Sequence, residues 1–273
     1  MKKVKLPDSP LVYFCEKKDD AAEWLLFLHA AFADHQMYNA QAAYFKERYN
    51  LLLPDIIGHG ESTGTKKGDS LDKMSGWIKE MLDREGVEKI HITGVSLGAV
   101  LAQDFANHYP DRVKSLACFG GYDINHFDPA MQKKNGGAQM RMMCKALISI
   151  KWFAKENKKI SAYTESAQEE FYRLNLRFPK KSFRYFTTLN RMINVCRTEG
   201  RAYPLFIGCG EHDIPMEKEA VSMWAESEPD CVVKIFEGAG HCVNMDVPQA
   251  FHTALEAFWQ GEADGGARIG KEK

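Results

Sequence analysis

Three residues of types that combine in nucleophilic catalysis each follow a strand-like stretch of this sequence. Ser96 lies in "HITGVSLGAV", between an alternating β-branched stretch and a helix-like one. Asp213 lies in "IGCGEHDIPM" and His241 in "FEGAGHCVNMDVP", on the loops that leave the last two strand-like stretches. A serine hydroxyl is a weak nucleophile at neutral pH, so it needs a nearby general base and a group that orients this base. The three residues form such a set if the strand ends meet.

The glycines around Ser96 predict a sharp turn with the hydroxyl at its tip. Side chains at Gly94 and Gly98 would collide with the neighbouring strand and helix. The turn sets the hydroxyl near the outward-pointing N–H groups of the following helix. The G-x-S-x-G pattern alone is weak, because chance supplies it in roughly one chain of this length in ten. By itself Asp213 could equally be a helix cap, and a lone His241 is more typical of a surface histidine.

Apolar strand-like stretches alternate with amphipathic stretches along the chain. The strand-like stretches are 11–16, 24–29, 50–55, 89–95, 113–121, 203–210 and 231–238, and the helix-like stretches are 37–48, 70–85, 97–109, 216–227 and 247–259. This alternation predicts parallel βαβ units, and near-continuous apolar strands are typical of a sheet covered on both faces. The predicted fold class is α/β, with an open, doubly wound and mostly parallel sheet. Ligands bind such a sheet at the carboxyl ends of its strands, which is where the three residues lie.

One region, residues 122–200, interrupts this alternation. It contains no convincing strand, and its amphipathic stretches are rich in aromatic and basic residues: 143–160, 166–178 and 180–199. We predict that 1–121 and 201–260 form a discontinuous catalytic domain, with 122–200 as a helical cap over the carboxyl edge of the sheet. The Gly-rich, charged residues 261–273 are predicted to be a disordered tail.

The composition excludes some classes of partner. The 273 residues are 45% hydrophobic and 27% charged, with a net charge of −1, which is ordinary for a soluble globular protein. A nearly neutral chain has no overall attraction for nucleic acid or for an anionic membrane. No apolar run approaches the roughly 18 residues of a membrane span. We therefore expect a small-molecule substrate, no nucleic-acid partner and no membrane partner, and the composition leaves the oligomeric state open.

The first residues and the cysteines favour a cytoplasmic location. The opening "MKKVKLPDSPLVYF" lacks the apolar core of a secretory signal, because Pro7 and Pro10 with the polar residues between them interrupt it. The seven cysteines form no C-x-x-C pair, which argues against a disulfide framework and a zinc ribbon. We expect reduced thiols that are mostly small core residues.

Five segments of the chain carry a family likeness. They are "WLLFLHAAFADHQMYNAQAAYF", "LLLPDIIGHGES", "HITGVSLGAVLAQDFANHYPDRVKSL", "YPLFIGCGEHDIP" and "GAGHCVNMDVPQAFHTALEAFW". Together they resemble the α/β-hydrolase superfamily, in particular its small, capped, esterase-like serine hydrolases. The likeness covers nearly the whole catalytic domain and the cap only by position. It implies the α/β-hydrolase fold, with Ser96 on a nucleophile elbow, Asp213 as the acid and His241 as the base.

The resemblance also implies an oxyanion hole made of two backbone N–H groups. The family's His-Gly-x segment is His29-Ala30-Ala31 here, so the implied donors are Ala31 and Leu97. Such donors bind charge that develops only in the tetrahedral intermediate. Ala30 replaces the usual glycine, and an alanine would be strained if this position needed a positive φ.

Other polar residues near the predicted strand ends have simpler interpretations. Asp123, after the stretch 113–121, is the alternative acid. In "PDIIGHGES" the sequence predicts a tight turn through Gly58 and Gly60, and we interpret His59 as structural. Cys242 adjoins His241 in sequence, so its side chain points elsewhere, and we interpret it as a packing residue.

The leading functional prediction is hydrolysis of a small-molecule carboxylic ester or thioester through an acyl-enzyme on Ser96. The same residues could instead perform carbon–carbon bond hydrolysis, a lyase reaction, perhydrolysis or aminopeptidase action. Haloalkane dehalogenase and epoxide hydrolase chemistry is disfavoured, because the nucleophile there is an aspartate. A non-catalytic ligand-binding protein on the same fold stays open, because a fold does not imply an activity.

No cofactor and no metal are predicted, because the proposed chemistry needs neither. A nicotinamide fingerprint is absent, since "GCGEHD" has Asp213 where the third glycine should stand. No H-x-x-x-H or H-E-x-x-H spacing supplies ligands for a catalytic zinc.

Basic residues outnumber acidic ones across 122–200, although the whole chain is nearly neutral. The basic residues are Lys133, Lys134, Arg141, Lys145, Lys151, Lys155, Lys158, Lys159, Arg173, Arg177, Lys180, Lys181, Arg184, Arg191 and Arg197. Such a charge run is usually a solvated helix face. The alternative hypothesis is that one or two of these cations point into the pocket and select a substrate with a carboxylate or phosphate.

Overall fold

The seven predicted strands are all present in the structure, together with one more. The structure is a computed structural model that describes residues 1–128, 145–146, 148–194 and 201–261. The described strands are β1 (Lys2–Lys5), β2 (Val12–Glu16), β3 (Trp24–Leu28), β4 (Asn50–Asp55), β5 (Ile90–Val95), β6 (Val113–Phe119), β7 (Leu205–Gly210) and β8 (Val232–Phe236).

The strands form one sheet in the order β1-β2-β4-β3-β5-β6-β7-β8. β2 pairs antiparallel with both β1 and β4, and the other neighbouring pairs are parallel. The chain order reverses at β3, which has β4 on one side and β5 on the other. Ligands of open α/β sheets bind at such a switch point, outside the carboxyl ends of the strands. The loops after β3 and β5 are therefore the first place to look for a site.

Helices connect the strands and cover both faces of the sheet. The described α-helices are α1 (Asn39–Phe45), α2 (Met74–Glu85), α3 (Leu97–His108), α4 (Ile150–Ser161), α5 (Glu165–Leu176), α6 (Pro215–Ser227), α7 (Val243–Asp246) and α8 (Pro248–Trp259). Short 3₁₀ helices span His35–Tyr38, Leu71–Lys73 and Pro110–Arg112, and a longer one spans Lys180–Met192.

Two apolar clusters bury the sheet, one on each face. Along β3, Leu26 and Leu28 belong to the cluster with α2, α3 and α6, whereas Leu25 and Phe27 belong to the cluster with α1 and α8. Successive side chains of a strand point to opposite faces. A strand that is apolar at every position therefore needs helices on both sides, as the sequence predicted.

The segment predicted to form a cap is helical where the structure describes it. Ser149 accepts a hydrogen bond from the Trp152 N–H at the start of α4, and Thr164 accepts one from the Ala167 N–H at the start of α5. Side-chain oxygens at these positions satisfy N–H groups that lack partners within the helix. The described residues between 122 and 200 contain no strand, in agreement with the prediction.

Residues Lys180–Met192 differ from the prediction, because they wind as a 3₁₀ helix instead of an α-helix. Side chains three residues apart lie on the same side of a 3₁₀ helix. Ser182 and Tyr185 accordingly both lie against Gly58, and Phe183 and Phe186 both join one aromatic cluster. Contacts with two different neighbours at this spacing favour the tighter winding.

The additional strand β1 lies at the edge of the sheet. Its sequence is KKVK and its side chains are mostly exposed, so no apolar pattern marks it. Lysines are common on edge strands, where they discourage pairing with other chains.

The structure bears on three further predictions. The described cysteines Cys15, Cys118, Cys209, Cys231 and Cys242 are buried free thiols, whereas Cys144 and Cys196 lie outside the described residues. No helix in the described part of the chain is both long and apolar enough to cross a membrane. Of the predicted tail 261–273, the structure describes only Gly261.

Candidate active site

Ser96 forms the turn between β5 and α3. Its φ of 55° and ψ of −117° lie outside the regions that serine normally occupies, so its backbone is strained. A Cβ on Gly98 would overlap the Leu28 carbonyl at the end of β3, and a Cβ on Gly94 would overlap the Gly98 carbonyl. The predicted collisions are confirmed. The two glycines let α3 start close against the sheet, with the half-buried Ser96 at its N-terminus.

Asp213 and His241 contact each other at the carboxyl edge of the sheet. Asp213 follows β7 and His241 follows β8. His241 Nδ1 lies 3.0 Å from Asp213 Oδ1 and 3.1 Å from Oδ2. Asp213 Oδ1 also accepts the Ile214 N–H at 2.8 Å, so this aspartate shapes its own turn as well as pairing with the histidine.

The contact with Asp213 changes the affinity of His241 for a proton. Burial alone lowers the pKa of His241, but the charge of Asp213, the hydrogen bond to it and the charge of Glu217 outweigh burial and raise the pKa to about 9. When Nδ1–H donates to a carboxylate, Nε2 is the atom that can take up a proton. The pair can therefore act as an oriented general base.

The end of β6 brings Ser96 and His241 to one place. The Ser96 N–H donates to the carbonyl of Phe119 at 2.8 Å. A Cβ on the next residue, Gly120, would lie 2.9 Å from both Cε1 and Nδ1 of His241. Gly120 has a φ of 56° and leaves room for the imidazole. Among the contacts of the described residues, none joins Ser96 Oγ to His241; such a bond often tightens only with substrate bound.

The two implied oxyanion donors are free in the structure. Among the hydrogen bonds of the described residues, the N–H groups of Ala31 and Leu97 have no acceptor. Ala30 is buried and does not have a positive φ, so the strain that its replacement of glycine could cause is absent. The left-handed residue of this segment is Phe32, with a φ of 65°.

Asp123 lies away from His241 and cannot be the acid. Its Oδ2 lies 2.8 Å from His126 Nδ1, and its Oδ1 accepts the Asn125 N–H at 2.8 Å. The alternative assignment of the acid is therefore wrong.

His59 has the environment of a structural residue, as interpreted from the sequence. Gly58 and Gly60 have φ values of 80° and 46° and form the predicted tight turn. His59 is buried, and its Nδ1 lies 3.1 Å from the Ile57 carbonyl. Burial and the neighbouring His29 lower the pKa of His59 to about 3, so it is neutral over the usual range of pH.

Glu217 is a buried carboxyl group near the Asp213–His241 pair that sequence reasoning missed. It lies in the first turn of α6, and its Oε2 has no hydrogen-bond partner among the described residues. Burial raises the pKa of Glu217 to about 7, the charge of His241 lowers it, and the charge of Asp213 raises it. The sequence offered one signal, a second acidic residue one helical turn after Asp213.

An aromatic cluster lies directly beside the oxyanion segment. The Phe32 ring has its centroid 4.7 Å from that of Phe153, 5.0 Å from Phe178, 5.2 Å from Phe186 and 5.6 Å from Phe183. These four partners belong to the helical segment 148–194. The residue after the implied donor Ala31 therefore has an apolar, aromatic surrounding.

None of the described basic residues of 122–200 is fully buried. Lys145 and Lys158 are half-buried and pair with Glu156 and Glu169. The other described basic residues are exposed: Lys151, Lys155, Lys159, Arg173, Arg177, Lys180, Lys181, Arg184 and Arg191. The hypothesis of a substrate-selecting cation therefore stays a prediction. Lys133, Lys134, Arg141 and Arg197 lie outside the described residues.

One group of potential metal ligands lies beside β4, and its atoms are already engaged. Asp34, His35 and Asp55 bring ligand atoms within 4.8 Å of one another. Asp55 accepts the His35 N–H at 2.7 Å, and Asp34 pairs with Arg177 at 2.8 Å. We assign no metal to this group.

A second serine–histidine–carboxylate set shows that distances alone do not identify an active site. Ser115 Oγ lies 2.7 Å from His91 Nδ1, and His91 Nε2 lies 3.2 Å from Glu23 Oε2. Ser115 and His91 are buried near the amino ends of β6 and β5, at the opposite edge of the sheet. Burial lowers the pKa of His91 to about 4. A buried serine within a regular strand offers substrate no access, in contrast to Ser96 in its turn.

Comparisons with known proteins agree with this architecture. A family model for the alpha/beta hydrolase fold matches residues 23–140. An uncharacterised carboxylesterase of Bacillus subtilis is 22% identical over 250 residues, which are 87% of this chain and 79% of that protein. The dihydrolipoyllysine-residue acetyltransferase component of an acetoin-cleaving system from Cupriavidus necator is 31% identical over 101 residues. That match spans 37% of this chain and about a quarter (27%) of the relative.

Solved structures show the same fold over nearly the whole chain. A thermophilic esterase from Thermogutta terrifontis, solved with malate bound, superimposes with a TM-score of 0.77 at 18% identity, covering 96% of this chain and all (100%) of the esterase. The chain therefore has the α/β-hydrolase fold that its sequence predicts, and the family model for this fold covers residues 23–140.

Proposed function

We propose that this protein is a serine hydrolase that cleaves a carboxylic ester or thioester of a small molecule. The observation that carries the proposal is the contact of His241 with Asp213 at the sheet edge where Ser96 lies in a left-handed turn. The carboxylesterase relative and the esterase with the same fold support ester cleavage.

In the proposed reaction Ser96 Oγ attacks the carbonyl carbon while His241 Nε2 takes the hydroxyl proton. The bond to the leaving oxygen or sulfur then breaks, and His241 gives this proton to the leaving group. Water attacks the resulting acyl ester on Ser96 and loses its proton to His241. The acid leaves, and Ser96 regains its proton. Asp213 accepts the Nδ1–H bond throughout and stabilises the imidazolium.

The free N–H groups of Ala31 and Leu97 support an oxyanion hole in this reaction. They would bind the carbonyl oxygen as it becomes negative, and one such donor is worth roughly 3 kcal/mol of transition-state stabilisation. The aromatic cluster around Phe32 favours an apolar group next to the scissile bond, and the exposed position of the described cations favours a neutral one.

We further propose that 122–200 is a cap on a catalytic domain formed by 1–121 and 201–260. The turn between α4 and α5 contacts the loops of both Asp213 and His241, because Tyr163 stacks on His212 and Ser161 accepts the Cys242 N–H. The independence from cofactors, the cytoplasmic location and the lack of nucleic-acid and membrane partners stay predictions.

The test combines a fluorophosphonate probe with a panel of aryl esters and thioesters of graded acyl length. We expect the probe to label the wild type but not Ser96→Ala, and the wild type to turn over at least one apolar ester. Labelling without turnover of any panel member would overturn ester cleavage and favour another bond. Absence of both would overturn catalysis and favour a ligand-binding protein.

A further inference from the structure

The Asp246 carboxylate joins two segments of the chain that meet at the candidate site. Its Oδ2 accepts the Gly240 N–H at 2.8 Å. Its Oδ1 accepts the Thr164 N–H at 2.7 Å and the Thr164 hydroxyl at 2.8 Å, and both oxygens lie 3.0 Å from the Tyr163 nitrogen. Gly240 precedes His241, whereas Tyr163 and Thr164 form the turn between α4 and α5.

A second bond holds the other side of His241 to the same region. The Cys242 N–H donates to the carbonyl of Ser161 at 2.7 Å. Gly240 is thus joined to 163–164 through the Asp246 carboxylate, and Cys242 is bound to Ser161 directly. A Cβ on Gly240 would lie 3.0 Å from the Tyr163 nitrogen, so this close approach favours glycine.

The turn between α4 and α5 also touches the loop that carries Asp213. The Tyr163 ring stacks on His212, with centroids 3.7 Å apart and planes inclined by 12°. The His212 N–H donates to the carbonyl of Ala239 at 2.8 Å, which joins this loop to the one that carries His241. Residues 161–164 therefore contact both loops that carry the Asp213–His241 pair.

The burial and the hydrogen bonds of the Asp246 carboxylate make this connection strong. The carboxylate is 8% exposed, and no cation among the described residues pairs with it. Its desolvation is offset by N–H and O–H donors alone, and hydrogen bonds to an ionised acceptor are about twice as strong as neutral ones. An amide in place of the carboxylate would offer one acceptor oxygen and turn an NH₂ group toward the same donors.

We propose that Asp246 is a positioning residue for His241. By fixing Gly240 against the α4–α5 turn, it holds the imidazole with Nδ1 toward Asp213 and Nε2 toward the Ser96 side. Its catalytic consequence rests on the proposed function, whereas its effect on the Asp213–His241 contact does not.

The test is Asp246→Asn, with the pKa of His241 measured by NMR of the ¹⁵N-labelled imidazole. The charged groups that face His241 are Asp213 and Glu217, and the substitution leaves both in place. We expect the pKa to fall from about 9 toward the ordinary value of about 6.5, because the contact with Asp213 loosens. We expect kcat on an aryl ester to fall roughly 10- to 100-fold with little change in KM.

Asp55→Asn is the matched control. Asp55 is also buried and also accepts backbone bonds, from the His35 N–H at 2.7 Å and the Glu61 N–H at 2.8 Å. It lies at the end of β4 and is not one of the charged groups that face His241. This variant should lower Tm yet leave the pKa of His241 at about 9. An unchanged pKa in Asp246→Asn, with activity lost only in proportion to unfolded protein, would overturn the proposal.

Thr164→Val keeps the test decisive if Asp246→Asn does not fold. It removes one donor from the Asp246 carboxylate and also the cap bond from the Ala167 N–H at the start of α5. The backbone bonds to Asp246 stay, so the pKa of His241 should fall by a smaller amount than in the asparagine variant. No change in the pKa would overturn the proposal. Failure of the proposed function has a different signature: the wild type would neither bind the phosphonate probe nor hydrolyse esters, while the NMR result would still stand.

Discussion

Two buried carboxyl groups, those of Asp213 and Glu217, face His241. Asp213 contacts its Nδ1, whereas Glu217 is buried one helical turn further along and has its pKa raised to about 7. A serine hydrolase needs a neutral imidazole before substrate attack and a charged one during it. The contact with Asp213 favours the charged imidazole of His241. It therefore stabilises the imidazolium that forms during attack, but it lowers the fraction of enzyme in which His241 is neutral before attack.

This balance predicts how the rate depends on pH. Because only neutral His241 can accept the Ser96 proton, kcat/KM for an aryl ester should rise as the pH approaches the pKa of about 9 and then level off. Well below that pKa, each pH unit should change kcat/KM about tenfold. The measurement is a pH profile of kcat/KM, with enzyme stability checked at each pH. A plateau that begins near the ordinary histidine pKa of about 6.5 would contradict this prediction.

Residue types and strand ends predicted Ser96, Asp213 and His241, because the carboxyl ends of parallel strands share one edge. Glu217 and Asp246 could not be predicted in the same way. Each lies only a few positions after a predicted residue, yet each is buried by packing that no local pattern records. For Asp246 that packing comes from the turn between α4 and α5, more than 80 positions earlier in the chain.

At the scale of elements, the turn from β5 to α3 depends on how closely α3 approaches β3. The start of α3 lies against the end of β3, because a Cβ on Gly98 would overlap the Leu28 carbonyl. The proposed oxyanion segment follows directly after β3. The proposed donors Leu97 and Ala31 are therefore placed by one contact between two elements. A change in this contact should displace one donor relative to the other.

Gly98→Ala tests this contact. The added methyl group must push α3 away from Leu28, so we expect kcat for an aryl ester to fall roughly 100-fold. Gly76→Ala is the control, because Gly76 lies in α2 with open space around its Cβ position. That control should keep full activity and gain about 1 kcal/mol in the free energy of unfolding. Equal activities of the two variants would contradict the prediction.

Phe32 gives a second prediction at this scale, about backbone strain. Its φ of 65° is unfavourable for a residue with a Cβ, and the four surrounding aromatic rings hold it there. Phe32→Ala and Phe32→Gly lose the same ring contacts, but only glycine accepts this φ without strain. Urea unfolding should therefore show Phe32→Gly to be more stable than Phe32→Ala by roughly 1 kcal/mol. The reverse order would mean that the segment relaxes without the ring.

The elements that sequence reasoning described least well lie where packing is one-sided. β1 was missed because its lysines face solvent and leave no alternation of apolar residues. Lys180–Met192 was predicted as an α-helix because an amphipathic pattern does not separate spacings of 3.0 and 3.6 residues over one or two turns. The buried strands β3 to β7 left no such ambiguity, since helices on both faces require apolar residues at nearly every position.

At the scale of the whole molecule, the net charge is nearly neutral, but the basic and acidic groups lie in different surroundings. Most described cations of the helical segment are exposed, whereas Asp213, Glu217 and Asp246 near the site are buried and His241 is half-buried. Asp246 is balanced by hydrogen-bond donors, and Asp213 by His241. Glu217 Oε2 has no hydrogen-bond partner among the described residues, and the charge of His241 only partly offsets the burial of this carboxyl group. Its ionisation should therefore affect the stability of the entire fold.

The last prediction concerns stability as a function of pH in Glu217→Gln. The pKa of Glu217 rises from 4.5 to about 7 on folding. Below pH 4.5 the carboxyl group is protonated in both the folded and the unfolded chain, so its ionisation does not affect stability. As the pH rises from there to about 7, the unfolded chain gives up this proton first. The wild type therefore loses stability over this window, by about 3 kcal/mol at completion.

Glutamine cannot ionise, so the variant escapes this loss. The free energy of unfolding of Glu217→Gln minus that of the wild type should rise between pH 4.5 and about 7 and then stay level. His241 behaves similarly in a higher window, because its stabilising charge is lost as the pH rises through about 9. That loss occurs in both proteins and largely cancels in the difference. Urea unfolding of both proteins at a series of pH values measures this difference in the free energy of unfolding. A difference that does not change with pH would mean that Glu217 ionises as easily in the folded protein as in the unfolded chain.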